Sequence, residues 1–194
     1  MRPTRWGYSF IGWYLIEIEG EEIYESYYDS NSLWDKETDS ILHAKWEVNN
    51  YTITIVNDEI IVGTIEATYD STYYIDVSLD RHGYIFKGWY LLENGLETMC
   101  TDEYGHSLTA WDKDENKILY SKWALVDYNI VYLLNGGQNN VDNEEKINIE
   151  NDVVLYEPSK LGYSFEAWYI YDEQLKECIG EAISIIDASA ILGD

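Results

Sequence analysis

Proline is almost missing from this chain: 194 residues hold only 2, which excludes a Pro-rich linker. Cysteine is as scarce, also 2, too few to staple a small scaffold with disulfides. Basic residues number 12 against 37 acidic, a net charge of −25. Nucleic-acid binding depends on Lys/Arg clusters that release counterions, and docking on anionic lipid needs the same clusters, so neither partner is expected. No run of about 18 apolar residues exists, so no membrane insertion is expected in this segment. The opening MRPTRWGYSF lacks the apolar core of a signal peptide. Because the chain opens inside a repeat, it is expected to be part of something longer, and the missing leader carries little weight.

Motifs with a mechanism are missing too. His43, His82, His106 and the two cysteines show no zinc-ligand spacing. No nucleophile elbow, P-loop or dinucleotide glycine pattern is present. Asp112, Asp114 and Asn116 take the first three positions of a calcium loop, but Lys117 stands where glycine is needed and Trp123 where the closing glutamate is needed. The matching turn Asp35, Glu37, Asp39 fails at Ser40 and Trp46 in the same way. No catalytic, cofactor-binding or metal-ligating set is expected, and the chain is not expected to be an enzyme.

What the chain does have is repetition and aromatic rings. GYSFIGWY at 7–14, GYIFKGWY at 83–90 and GYSFEAWY at 162–169 are one phrase, with glycines 76 and 79 residues apart (83−7 and 162−83). A second phrase, WDKETDSILHAKW at 34–46, returns as WDKDENKILYSKW at 111–123. A fixed period means one structural unit used repeatedly. The expected division is the back half of a repeat over 1–47, a complete repeat over 48–124, and a third over 125–194. The third loses the closing phrase and is either truncated or degenerate. There are 19 Tyr and 8 Trp against 3 Phe, suited to thin sheets in which an apolar ring body is buried and its polar tip finds a partner.

Period-two alternation predicts strands. Residues 51–56 and 128–134 are rich in β-branched and aromatic side chains and run into turn formers. Residues 60–67 and 118–123 are further strands. The stretch 68–82 has room for a short helix, although Tyr73, Tyr74, Ile75 and Val77 favour strand. In the glycine phrase, Tyr84, Phe86 and Gly88 should face one way and Ile85, Lys87 and Trp89 the other. Gly83 is expected at positive φ or in a bulge. Gly12 and Gly88 become Ala167 in the third copy, so that position wants a small residue with backbone or a ring close by. Tyr24, Cys100 and Cys178 fall at nearly one repeat position, a whole module apart; two thiols so placed are expected to be free.

These phrases, together with an opening strand ending in LNGG at 134–137, resemble the internalin-type B-repeat, also called the Listeria–Bacteroides repeat. The resemblance covers most of the chain. It implies a mainly β or α+β fold of tandem small β-grasp (ubiquitin-like) modules, from an extracellular protein of the bacterial cell surface. It departs from the family pattern in its longer inserts, in Asn57-Asp58-Glu59 where LNGG would fall, and in the unfinished third copy.

Recurring positions are read as structural: Gly7, Gly83 and Gly162; Trp13, Trp89 and Trp168; Trp46 and Trp123. Trp34 and Trp111 precede an acidic turn and divide evenly between core and exposed contact. The expectation is therefore a non-enzymatic spacer or display stalk. The alternative is a weak multivalent adhesion module that meets a cell-wall or host glycan, or a surface protein, through Trp34, Trp111, Tyr24, Tyr27 and Tyr28. Unfinished modules expose strand edges, so self-association is also expected.

Overall fold

The computed structural model describes residues 2–19, 22–29, 31–76 and 78–189, with only the backbone at 18, 19 and 22–24. Among them the protein is mainly β and has no α-helix. The strands are β1 (Tyr8–Glu19), β2 (Glu22–Tyr28), β3 (Leu42–Val48), β4 (Asn50–Asn57), β5 (Ile60–Thr68), β6 (Tyr84–Glu93) and β7 (Leu96–Met99). They continue as β8 (Lys117–Leu125), β9 (Tyr128–Asn129), β10 (Lys146–Ile147), β11 (Val153–Val154), β12 (Trp168–Asp172), β13 (Glu177–Ile183) and β14 (Ile185–Ile186).

The complete repeat forms one five-stranded sheet in the order β5-β4-β8-β6-β7. β4 and β8 run parallel at its centre, with Ile53 opposite Lys117 and Ile55 opposite Leu119. Central parallel strands are covered on both faces, and Ile53, Ile55 and Leu119 are fully buried. The first repeat shows the matching three strands alone, in the order β2-β1-β3. The third shows the hairpin β12-β13 and two short pairings, β9 with β10 and β11 with β14. Residues 130–134, expected as strand, belong to none. Of this stretch only Tyr128 and Asn129 pair, with Ile147 and Lys146.

The stretch 68–82 is neither helix nor regular strand. Its backbone is tied down by single contacts instead: the Ile75 amide donates to the Gly105 carbonyl at 3.0 Å and the Ser107 amide to the Tyr73 carbonyl at 3.0 Å. These tie Tyr73 and the buried Ile75 to the loop between β7 and β8.

Alternation in the glycine phrase holds as far as Gly88 and then reverses. Tyr84 and Phe86 are half-buried, Ile85 and Lys87 exposed, but Gly88 and Trp89 are both buried. A bulge causes the reversal. Gly88 has φ 114°, and a Cβ there would lie 2.4 Å from the Thr101 carbonyl oxygen. The Cys100 and Thr101 amides both reach the Trp89 carbonyl, at 2.8 and 3.3 Å. The register of β1 shifts between Phe10 and Gly12, and that of β12 between Trp168 and Ile170. The bulge turns the phrase's tryptophan inward, where alternation alone places it outward.

Packing divides the chain into two compact units, one of residues 1–78 and 87–122, the other of 79–86 and 123–194. The boundary cuts through the glycine phrase of the complete repeat, for a reason that lies at the start of that phrase.

Candidate functional site

Each glycine phrase begins with the same clasp. The amide of Tyr8 donates to the Arg5 carbonyl at 3.1 Å, that of Tyr84 to Arg81 at 3.0 Å, and that of Tyr163 to Lys160 at 3.1 Å. The basic side chain folds back over the tyrosine ring: Arg5 lies 3.7 Å from the Tyr8 centroid, Arg81 4.1 Å from Tyr84, and Lys160 4.4 Å from Tyr163. The glycine between them is left-handed in all three copies, with φ of 73°, 72° and 82°, a conformation that costs a side-chain-bearing residue roughly 1–2 kcal/mol. The sequence carried the signal for this clasp in a cation three residues ahead of every tyrosine.

The first two clasps hold the start of the following repeat. The Asn49 amide donates to the Gly7 carbonyl at 2.9 Å, and the Val126 amide to the Gly83 carbonyl at 2.9 Å. Gly7 sits so close to the Tyr69 ring that a Cβ would fall 2.2 Å from it, and one on Gly83 would fall 2.6 Å from Ile149. Tyr8 meets Tyr69 edge-on at 5.8 Å, and the Tyr84 hydroxyl bonds to the Glu150 carboxylate. Gly162 meets nothing within 4 Å, and Tyr163 is 71% exposed.

The aromatic contacts expected from the sequence fall in different places. Trp34 is 53% exposed and lies 5.6 Å from the Tyr28 ring. The Tyr28 hydroxyl donates to Asp35 at 2.7 Å, which holds the Asp35 carboxyl below the usual range and raises the phenol. Lys36 reaches Glu17 at 2.9 Å beside them. Tyr27 covers Gly12, where a Cβ would lie 2.1 Å from the ring, and donates to the Ile11 carbonyl at 3.0 Å. The Tyr24 side chain lies outside the described residues. Trp111 is 3% exposed, packed edge-on against Tyr73 at 5.7 Å, with no ring face open to a ligand. Trp34 and Tyr28 are thus brought together and Trp111 is kept apart. Tyr73, which packs on Trp111, reads in the sequence only as a strand-favouring residue, since it belongs to a stretch with no clear periodicity.

The Listeria–Bacteroides repeat domain matches residues 51–122 and again 128–179, the same two segments that the clasp at Gly83 joins. The chain belongs to the Listeria–Bacteroides repeat family. It is similar over 181 residues, at 34% identity, to a protein of Evansella cellulosilytica described as a Gly-rich membrane protein; the match covers 86% of this chain and 18% of that one. A second protein of that organism, described as a membrane protein, is 33% identical over 67% of this chain and 18% of its own length. Internalin H of Listeria monocytogenes is 32% identical over 48% of this chain and 16% of its own. The chain therefore spans less than a fifth of the curated relatives it matches. No solved structure matches it.

In this Listeria–Bacteroides repeat the acidic turns are neutralised by lysine. Lys113 lies 3.2 Å from Asp112, and Lys117 2.6 Å from Glu93, whose carboxyl is held low by that bond. Asn116 accepts the Thr52 amide at 2.9 Å. Among the described residues no group of three or more metal-ligating side chains converges, and no helix is long and apolar enough to cross a membrane. Both cysteines are free thiols, Cys100 half-buried and Cys178 exposed. Burial raises the Cys100 thiol, opposite to the shift that makes a thiol reactive.

Proposed function

We propose that this segment is a non-enzymatic spacer in a bacterial surface protein, a run of small β modules that holds another domain away from the cell. The observation that carries this reading is the repeated clasp. One set of atoms, a glycine carbonyl and its neighbouring ring, receives the start of the next repeat at both Gly7 and Gly83. A joint made twice from the same parts serves a chain whose task is regular extension. Membership of the repeat family and the likeness to an internalin and to proteins described as membrane proteins support the surface location. The strand order of the complete module, second-first-fifth-third-fourth with the first and fifth parallel, supports a β-grasp module that has dispensed with its helix.

The second reading is weak adhesion, favoured by one observation: the exposed Trp34 beside Tyr28 offers two ring faces next to an ordered carboxylate. The test is a glycan and cell-wall polysaccharide array probed with labelled 1–194 and with its Trp34→Ala form. A blank array with folded protein supports the spacer. Binding that is lost with Trp34 replaces the spacer by the adhesion module.

A further inference from the structure

The chain holds two Asn-Gly pairs, Asn94-Gly95 and Asn135-Gly136, and folds both into the same kind of tight turn. The φ angles are 52° and 78° at the first pair and 47° and 84° at the second, the left-handed combination that a two-residue turn needs and that Asn-Gly meets best. The first turn joins β6 to β7, with Glu93 opposite Leu96. The second is closed by the Gly137 amide, which donates to the Leu134 carbonyl at 2.8 Å. Both asparagines are exposed, and a Cβ on either following glycine would meet nothing within 4 Å. The amide nitrogen next to each asparagine side chain is therefore uncrowded.

The two turns differ in their charged neighbours. The Lys160 ammonium donates to the Asn135 carbonyl at 2.7 Å while lying 4.4 Å from the Tyr163 centroid. The clasp of the third glycine phrase thus holds a cation on the peptide group that joins Asn135 to Gly136. At the other turn the nearby lysines are engaged by carboxylates: Lys117 and Lys113 lie 2.6 and 4.0 Å from Glu93. Among the described residues neither bonds the Asn94 carbonyl.

We infer that Asn135 is a site of spontaneous deamidation, singled out from its twin Asn94 by Lys160. A positive charge beside an acidic group favours its deprotonated form, and a cation bonded to the Asn135 carbonyl makes the Gly136 N–H a stronger acid. That amide gives its proton to water, and its nitrogen attacks Cγ of the Asn135 side chain. The N–Cγ bond forms, the Cγ–Nδ2 bond breaks, and the side-chain nitrogen takes up a proton and leaves as ammonia. Water then opens the cyclic imide at either carbonyl, giving aspartate or isoaspartate. Each conversion adds a negative charge beside Lys160, and the isoaspartate form lengthens the turn by a methylene.

The test incubates the folded full chain at neutral pH and follows both asparagine-containing peptides by mass spectrometry, with isoaspartyl methyltransferase labelling to detect the isomer. Asn135 should convert faster than Asn94. Lys160→Gln should slow Asn135 roughly fivefold and leave Asn94 unchanged. Lys160→Arg places at 160 the cation found at the equivalent Arg5 and Arg81 and should keep most of the rate. In urea the two asparagines should convert alike, since glycine follows both. Equal rates in the folded chain overturn the inference, and so does an unchanged rate in Lys160→Gln. A rate that rises in Lys160→Gln overturns it as well, because Lys160 then only restrains the turn. So does a preference for Asn135 that persists undiminished in urea, which traces the difference to flanking sequence.

Discussion

The complete module and the first half-module carry nearly the same phrases and bury them differently. Trp89 is fully buried while its counterpart Trp13 is 36% exposed; Trp111 is 3% exposed while its counterpart Trp34 is 53% exposed. The difference comes from residues outside both phrases. In the complete module Tyr73 packs edge-on against Trp111 at 5.7 Å, and Ile53, Ile55 and Ile75 are buried along with the two rings. Among the described residues the first half-module contributes β1, β2 and β3. A repeat position is therefore core or surface according to what packs on it, and the phrase alone does not decide it.

The sharpest way to break this comparison is to truncate both tryptophans. Trp89→Ala should destabilise the module by about 3–5 kcal/mol, the range for large aromatic deletions in a core, whereas Trp13→Ala should cost no more than about 1 kcal/mol. Denaturant unfolding followed by fluorescence measures both. Equal losses would show that Trp13 is buried in solution and that the half-module is covered there.

Next in size is the clasp. Gly83→Ala and Gly162→Ala both put a side chain at positive φ, near 72° and 82°, and should share a cost of roughly 1–2 kcal/mol. Only the first also drives a Cβ to 2.6 Å from Ile149. Thermal melts should show the larger drop for Gly83→Ala; parity between the two would mean that Ile149 gives way.

A smaller effect follows from pH. The Tyr73 phenol, with an ordinary value of 10.0, is pushed up chiefly by burial. The unfolded chain then ionises first as pH rises past about 10, so the folded state binds more protons and loses stability from there upward. Tyr73→Phe should flatten that decline in urea titrations between pH 9 and 11. An unchanged decline would place the ionising group elsewhere.

Smallest are the cations over the rings. Arg81→Gln and Lys160→Gln should each lower stability by about 0.5–1 kcal/mol, the range for exposed cation–π pairs, readable as a shift in the denaturation midpoint. A loss from Arg81→Gln several times that of Lys160→Gln would mean that the cation acts through the next repeat.

Strands over 51–56, 60–67, 84–90 and 118–123 were legible because alternation and β-branched content are local properties of the chain. The positive φ at Gly7, Gly83 and Gly162 was legible from one residue type recurring ahead of a strand. The inward turn of Trp89 was not, since a bulge shifts the face of every later residue without altering the letters. Residues 130–134 read as strand by composition yet are unpaired, because pairing depends on a second segment, which local composition does not report. The burial of Trp111 was undecided because Tyr73 reaches it from 38 residues away (111−73).

The clasp also bears on how such an array changes length over generations. The accepting glycine and the donating amide stand in the same phase at Gly7–Asn49 and at Gly83–Val126, so recombination that removes one whole period rejoins a glycine to an equivalent amide. Recombination out of phase leaves a glycine facing the wrong neighbour. Copy number can thus drift freely in whole steps, and only in whole steps.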